Sequence, residues 1–217
     1  MKGDIILIEE WHREAAIKIV AQIRKEIEAK KSRYVITVAG ESGSGKSETA
    51  HAIQEALALK KIKSVILGQD DYFHLPPRSN DSRRRENPDW LGPHMEVKLE
   101  LMDQNLKQAL EGVDKLVKPL VDYDNNTILE ESLDLSDIKV VIAEGTYTSL
   151  LRNVDIRIFI DQTFEDSYSH RKKRNRGDEV SDPFIEAVLS IEHKIIAGHK
   201  HLADVVINRQ NEVIFVE

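Results

Sequence analysis

The chain contains no cysteine, and this absence excludes disulfide bonds and thiolate chemistry. Aromatic residues make up only 6% of its 217 residues. No apolar run approaches the roughly 20 residues that a membrane-spanning helix needs. The N-terminal sequence MKGDIILIEE has no basic segment followed by an apolar one, so a signal peptide is not expected. These absences favour a protein of the reducing cytoplasm without a membrane partner.

An excess of positive charge is also missing. The formal net charge is −7, so a broad surface for nucleic acid or another polyanion is not expected. Apolar residues account for 41% of the chain and charged residues for 32%, as in globular proteins. The length suits one α/β domain with an inserted substrate region.

A glycine-rich segment at residues 40–47 reads GESGSGKS and fits the phosphate-loop pattern G-x-x-x-x-G-K-[ST]. A β-branched strand pattern at 34–39 precedes it, and apolar residues at helical spacing follow it. The glycines allow backbone N–H groups to surround a phosphate, and the positive end of the next helix favours the same anion. The predicted nucleotide contacts are Gly40, Ser42, Gly43, Ser44, Gly45, Lys46, Ser47 and Glu48. Within this set, Lys46 would neutralise phosphate oxygens and Ser47 would bind Mg²⁺.

Strand and helix patterns alternate along the chain, which predicts an α/β fold with a parallel sheet covered by helices on both faces. Strands are predicted at 34–39, 63–67, 138–143, 155–160 and 204–207, with a further candidate at 213–216. Helices are predicted near 9–30, after the glycine loop, from 99 to 110, from 163 to about 173, and from 182 to 196. The stretch 75–93 holds four of the six prolines and reads as a long irregular loop.

Acidic residues follow two of the predicted strands. Asp70 and Asp71 come after the second strand, and Glu144 follows a continuous apolar strand. Ligands of parallel sheets bind at the carboxyl ends of the strands, so these acids are expected beside the glycine loop. Asp70 is the candidate base for an attacking hydroxyl, and in an extended segment Asp71 would point the other way. Glu144, Ser47 and Asp70 are the candidate Mg²⁺ ligands.

Each of these features also has a structural interpretation. Asp70 and Glu144 could cap a loop or a helix. The basic segment 171–176 could contact the nucleotide through its arginines or only complement a helix dipole. The run Arg83-Arg84-Arg85 is more often a solvated charge run than a ligand contact.

Taken together, the motifs resemble those of the uridine kinase and phosphoribulokinase family of P-loop kinases over about residues 34–208. The similar segments are the loop GESGSGKS, the stretch QDDYF from 69, ENPD from 86, the Pro119 to Tyr123-Asp124 hairpin, VIAEG from 141, the arginines near 171–176, and ADVVI from 203. At 125–127 this chain has Asn-Asn-Thr, whereas uridine kinases have a histidine and an arginine after Tyr-Asp.

The resemblance implies a three-layer sandwich with a central, mainly parallel sheet and a lid. The helical spacing before the first strand predicts an N-terminal helical extension at 1–32, which leaves 33–217 as the kinase domain. Within that domain, the resemblance implies an acceptor-binding insert at about 72–135 and a lid at about 168–180. Its implied catalytic residues are Asp70, Lys46, Arg171 and Arg174, and Arg176 would contact the nucleotide. Acceptor contacts are implied for Tyr72, Phe73, Glu86, Tyr123 and Arg171.

The expected function is therefore an ATP- and Mg²⁺-dependent kinase of a small-molecule hydroxyl. A nucleoside, uridine or cytidine, is the first candidate acceptor. A sugar, pantothenate, glycerate or ribulose phosphate remains open, as does a homo-oligomer. A regulatory P-loop NTPase is the competing class, although the chain has neither an Asn-Lys-x-Asp guanine motif nor an Asp-x-x-Gly metal loop at a strand end.

Overall fold

A computed structural model describes residues 6–168 and 182–216. Its strands are β1 (Tyr34–Gly40), β2 (Ser64–Gly68), β3 (Lys115–Asp122), β4 (Thr127–Asp134), β5 (Val140–Glu144), β6 (Ile156–Ile160), β7 (Val205–Ile207) and β8 (Val213–Phe215). Six of these form one sheet in the order β2-β5-β1-β6-β7-β8, and β3 pairs with β4 in a separate antiparallel hairpin. All neighbours in the main sheet are parallel except β7 and β8. The predicted α/β fold with a mainly parallel sheet is confirmed.

Two apolar clusters cover the two faces of the sheet. The helices of the described chain are α1 (Glu10–Ala29), α2 (Lys46–Leu59), α3 (Pro77–Glu86), α4 (Leu99–Leu110) and α5 (Pro183–Ile196). Helices α1 and α2 contribute to one cluster, whereas α4 and the end of α5 contribute to the other. Every residue of β1 is buried, as expected for a strand in the middle of such a sandwich. The glycine loop that follows β1 therefore starts from a fully buried strand.

Helix α1 is part of the core. Ala16, Ile19, Ile23 and Ile27 recur at helical spacing, and at most 2% of each is exposed. They pack mainly against α2. Burying each isoleucine contributes about 1.5–3 kcal/mol, so α1 stabilises the helix that begins at the glycine loop.

The prediction of an irregular loop at 75–93 is wrong in its first half, because α3 occupies Pro77–Glu86. Pro77 stands in the first turn, where its fixed φ suits a helix and its missing N–H is not needed. The ion pair between Arg85 and Asp81, at 2.9 Å and four residues apart, supports the next turn. The strand β4 was also not predicted, since its stability comes from pairing with β3 and not from an apolar pattern.

Candidate active site

The loop between β1 and α2 uses backbone conformations that favour glycine. Gly40, Gly43 and Gly45 have φ angles of 155°, 80° and 90°. A Cβ atom on Gly40 would lie 2.9 Å from the carbonyl oxygen of Ile160, and one on Gly45 would lie 2.7 Å from Nε2 of His12 in α1. Gly45 is also the N-cap of α2, so the free N–H groups of the helix start at this loop. This is the geometry of an anion-binding loop.

Lys46 and Ser47 form the first turn of α2. The Lys46 ammonium group donates to the carbonyl oxygen of Glu41 at 2.7 Å, which keeps the side chain folded over the loop. The Ser47 hydroxyl donates to Oε2 of Glu144 at 3.2 Å. The loop is thus joined directly to the carboxyl end of β5.

Strand register brings the acids together. Gly68 at the end of β2 pairs with Glu144 at the end of β5, and Asp70 follows two residues later. Withdrawal from water, followed by repulsion from the Asp70 carboxylate, raises the pKa of Glu144 to about 7, while Lys46 and Ser47 act in the opposite direction. The structure therefore places Lys46, Ser47, Asp70 and Glu144 on one rim, as the sequence analysis expected.

The neighbouring acids Asp70 and Asp71 have different surroundings. Asp71 is 2% exposed, and its carboxylate accepts hydrogen bonds from Lys118 Nζ at 2.7 Å and from the Val121 N–H at 2.9 Å. It anchors the β3–β4 hairpin. The Asp70 side chain is exposed at the rim. The two do diverge, but the cause is a 3₁₀ turn at Gln69–Tyr72 and not the extended segment that we expected.

A second polar group is formed by residues of α3, the loop after it and α5. We call it the acceptor-side cluster and define it as Asn80, Arg84, Glu96 and Glu192. Arg84 Nε donates to Glu96 at 2.7 Å, and its Nη2 lies 3.7 Å from Oε1 of Glu192. Asn80 donates to Glu96 at 3.1 Å and accepts from the Trp90 indole N–H at 2.8 Å. The cluster joins α3 and the following loop to α5.

Glu192 links this cluster to the rim. It is 7% exposed, and its Oε2 has no hydrogen-bond partner among the described residues. Burial raises the pKa of Glu192 to about 7; Arg84 opposes this change, and Glu96 adds to it. Lys46 and Asp70 also act on this pKa, so their charges lie near Glu192. The Asp70 charge therefore acts on both Glu144 and Glu192.

The expected contact between Tyr72 and the acceptor is corrected. Tyr72 is 0% exposed, and its hydroxyl donates to Oδ1 of Asn105 at 2.8 Å, so the side chain belongs to the core. Phe73 is partly buried and packs against the same core. Its ring centroid lies 5.7 Å from the guanidinium carbon of Arg84, at the border of the acceptor-side cluster.

Glu86 and Tyr123 do not come together. Glu86 is the last residue of α3, with its side chain 70% exposed and 3.6 Å from Arg83. Tyr123 lies in the hairpin turn, which Arg78 at the opposite end of α3 holds by donating to the carbonyl oxygen of Asp124 at 2.7 Å. Eight residues of helix separate Arg78 from Glu86, or about 12 Å at 1.5 Å per residue. A joint acceptor contact by these two residues is not supported.

Several predicted residues remain to be placed. Arg171, Arg174 and Arg176 lie outside the described residues. Glu48 is buried in the first turn of α2, 1% exposed. Ser42 is partly buried and Ser44 is buried in the loop.

The sequence analysis missed most of the acceptor-side cluster. The run Arg83-Arg84-Arg85 looked like a solvated charge run, yet only 18% of the Arg84 side chain is exposed. Two buried carboxylates raise the pKa of Arg84 above its ordinary value although burial acts to lower it. The sequence signal for this cluster was the four-residue spacing of Asn80 and Arg84. Residues at this spacing lie on the same face only if the segment is recognised as a helix.

The donors at the rim suit a magnesium ion. Mg²⁺ prefers oxygen ligands and binds through one or two protein groups together with phosphates and water. The Ser47 hydroxyl and the Glu144 carboxylate supply hard oxygens 3.2 Å apart at the start of α2. The exposed Asp70 carboxylate adds a third oxygen donor nearby. Bound there, the ion would neutralise phosphate charge.

The fold and the rim together define a P-loop kinase. The model of the phosphoribulokinase / uridine kinase family matches residues 35–214. The chain therefore belongs to that family, and it is a phosphotransferase that acts on a hydroxyl group. Kinases of this family use ATP, which agrees with the glycine loop.

The chain is moderately similar in sequence to several named kinases. The bifunctional alpha-galactosidase/sucrose kinase of Mediterraneibacter gnavus is 27% identical over 193 residues, covering 84% of this chain and 21% of that protein. The chain thus spans about a fifth of that relative's length. Uridine kinase of Bacillus cereus (strain B4264) is 29% identical over 187 residues, covering 80% of this chain and 84% of that protein. Phosphoribulokinase from Rhodobacter spheroides has a similar fold, with a TM-score of 0.63 at 14% identity over 82% of this chain and 71% of that one.

None of the helices in the described part of the chain combines the length and the apolarity needed to span a bilayer.

Proposed function

We propose that the protein transfers the γ-phosphoryl group of ATP to a hydroxyl of a neutral, polyhydroxylated molecule, with a free sugar as the first candidate, in an Mg²⁺-dependent reaction in the cytoplasm. One observation supports this most. The exposed Asp70 lies at the phosphate-binding rim, and its charge also acts on a buried cluster that contains a carboxylate oxygen without a hydrogen-bond partner among the described residues.

Asp70 accepts the proton of the acceptor hydroxyl as that oxygen attacks the γ-phosphorus. The bond from the γ-phosphorus to the β–γ bridging oxygen breaks, and ADP leaves. Lys46 moves from the Glu41 carbonyl to the phosphate oxygens and neutralises their charge. Ser47 and Glu144 would hold the magnesium ion, which helps to neutralise the phosphates.

A neutral acceptor agrees with the charges near Asp70. The Arg84 guanidinium is already bound by Glu96 and lies beside Glu192, so it is not available as a full countercharge for an anion. Oε2 of Glu192 can accept a hydrogen bond, and sugar hydroxyls donate them. A carboxylate or phosphate on the acceptor would instead meet the charges of Asp70 and Glu192 at close range. Glycerate, pantothenate and ribulose phosphate are therefore weaker candidates.

A free sugar is preferred to a nucleoside for two reasons. The similarity to the alpha-galactosidase/sucrose kinase extends over 84% of this chain. In the hairpin turn, the Asn125 N–H donates to Oδ1 of Asp122 at 3.0 Å, and Oδ1 of Asn126 accepts from the Arg78 N–H at 2.9 Å. These asparagines, which stand where uridine kinases have a histidine and an arginine, hold the turn together. A nucleoside remains the second candidate, because uridine kinase of Bacillus cereus matches 80% of the chain.

The test is an ADP-release assay with Mg²⁺·ATP and a matched panel of acceptors. The panel contains neutral sugars (fructose, glucose and sucrose), nucleosides (uridine and cytidine), and anions (glycerate, pantothenate and ribulose 5-phosphate). We expect acceptor-dependent ADP release with a sugar, and its loss in the Asp70→Asn variant. Release that depends on an anionic acceptor alone would refute the proposal.

A further inference from the structure

Glu41, the second residue of the glycine loop, is a buried acid in an unusual position. It is 6% exposed. Its Oε2 accepts from the Phe164 N–H at 2.8 Å, and its Oε1 lies 2.6 Å from Nδ1 of His193 in α5. A carboxylate can only accept, so Nδ1 of His193 is the donor. The Phe164 ring also contacts the imidazole edge-on, with centroids 6.0 Å apart, and so helps to orient it.

The same residue belongs to the phosphate-binding machinery through its backbone. Its carbonyl oxygen accepts from Lys46 Nζ at 2.7 Å and from the Ser44 N–H at 3.1 Å. Glu41 therefore contacts two groups at once. Its carbonyl oxygen binds the lysine that is expected to bind the phosphates, and its carboxylate binds α5.

The Glu41 carboxylate is expected to disfavour the binding of an anionic ligand at the glycine loop. The triphosphate of ATP is strongly anionic, and a buried carboxylate without a partner beside it would repel it. Lys46 contacts the carbonyl oxygen of Glu41, so the partners seen for the carboxylate are the Phe164 N–H and His193. Nδ1 of His193 and Oε1 of Glu41 lie 2.6 Å apart, so the two groups are in direct hydrogen-bond contact.

We propose that His193 is a positioning residue whose hydrogen bond holds the Glu41 carboxylate against α5 and so allows the glycine loop to accept the phosphates of ATP. The pair also fixes the outer side of the loop against α5, since one carboxylate joins the loop, Phe164 and the helix. The inference rests on the ATP-binding part of the proposed function and is independent of the acceptor.

The inference predicts different effects on ATP binding for substitutions at His193 and at Glu41, and this makes it testable. His193→Asn leaves Glu41 charged and without its imidazole partner, so Mg²⁺·ATP binding should weaken on the order of tenfold. Glu41→Gln removes the charge and keeps an acceptor oxygen for the Phe164 N–H, so binding should stay close to that of the parent. The double variant should bind about as tightly as Glu41→Gln alone. Lys194→Asn, an exposed position next to His193 on α5, is the matched control and should leave binding unchanged.

The measurement is titration calorimetry with the non-hydrolysable analogue AMP-PNP and Mg²⁺, with thermal unfolding of each variant beside it. Rescue of His193→Asn by Glu41→Gln supports the inference. A double variant as weak as His193→Asn, or weaker, contradicts it and indicates a role in packing only. If His193→Asn does not fold, Glu41→Gln decides alone, and a large loss of binding there overturns the inference. Failure of the parent protein to bind the analogue would overturn both this inference and the proposed function.

Discussion

The two sides of Asp70 are built by different means. On the phosphate side, the backbone sets the geometry: glycine φ angles shape the loop, strand register places Glu144, and a helix start supplies free N–H groups. On the acceptor side, side chains from distant segments set it. Arg84 in α3, Glu96 in the next loop and Glu192 in α5 meet in one buried cluster.

The difference indicates how one fold can serve many acceptors. A glycine loop is a local feature that leaves little freedom, because a side chain at Gly40 would collide with backbone. An ion-paired cluster can be exchanged residue by residue while the sheet below it stays intact. Phosphate chemistry is therefore expected to be shared across the family, and acceptor choice to vary with the cluster.

The largest effect is expected at Asp70. Asp70→Asn keeps the shape and an acceptor oxygen but removes the base, so kcat should fall by about 10²–10⁴-fold while the KM for ATP changes little. Steady-state kinetics with saturating acceptor measure both constants.

The adjacent Asp71→Asn variant is the control for that experiment. It leaves Lys118 with a weakened partner in a buried site, so the free energy of unfolding should fall. The kcat of the folded fraction should be reduced far less than in Asp70→Asn. If kcat falls strongly in Asp71→Asn and stays near the parental value in Asp70→Asn, the base has been assigned to the wrong residue.

On the phosphate side, Lys46→Ala should lower kcat by about 10²–10³-fold, because the transferring phosphoryl group loses a positioned cation. Its effect should be the same for every acceptor that the enzyme uses. Lys63→Ala removes a lysine that is 65% exposed and paired with Asp137, and it should have no effect. Unchanged turnover in Lys46→Ala, with normal thermal unfolding, would mean that the loop does not bind the transferred phosphate.

On the acceptor side, Glu192→Gln should raise the KM for the acceptor by about tenfold and leave the KM for ATP unchanged, because a hydrogen bond to a charged group is lost. Arg84 keeps its bond to Glu96 in this variant. Glu186→Gln, an exposed position on the same helix, is the control. A defect confined to ATP would place Glu192 on the wrong side of Asp70.

The smallest effect concerns pH. The pKa values of Glu144 and Glu192 are raised from 4.5 to about 7. Between these values the folded protein binds more protons than the unfolded chain, so the free energy of unfolding should fall as pH rises through this range. Urea unfolding at several pH values measures this slope. The double variant Glu144→Gln/Glu192→Gln should flatten it, and an unchanged slope would show that these groups do not cause it.

Prediction from sequence succeeded on one side of Asp70 and failed on the other for a physical reason. The glycine loop, Asp70 and Glu144 each lie at the carboxyl end of a strand, so the strand pattern alone places them together. Tyr72 was misplaced because an aromatic residue after a strand can face the site or the core, and the partner that fixes it, Asn105, is 33 residues away. Glu192 lies further still from Arg84, and no local pattern indicates that pairing.

The central proposal is that this family member phosphorylates a neutral polyhydroxylated acceptor and prefers a free sugar to a nucleoside. The most direct measurement is a competition in one vessel, with fructose, glucose, sucrose and uridine at equal concentrations and limiting Mg²⁺·ATP. Phosphorus NMR then identifies which molecule received the phosphoryl group. We expect a new sugar phosphomonoester signal that is absent with Asp70→Asn. A signal from uridine monophosphate alone would contradict the account.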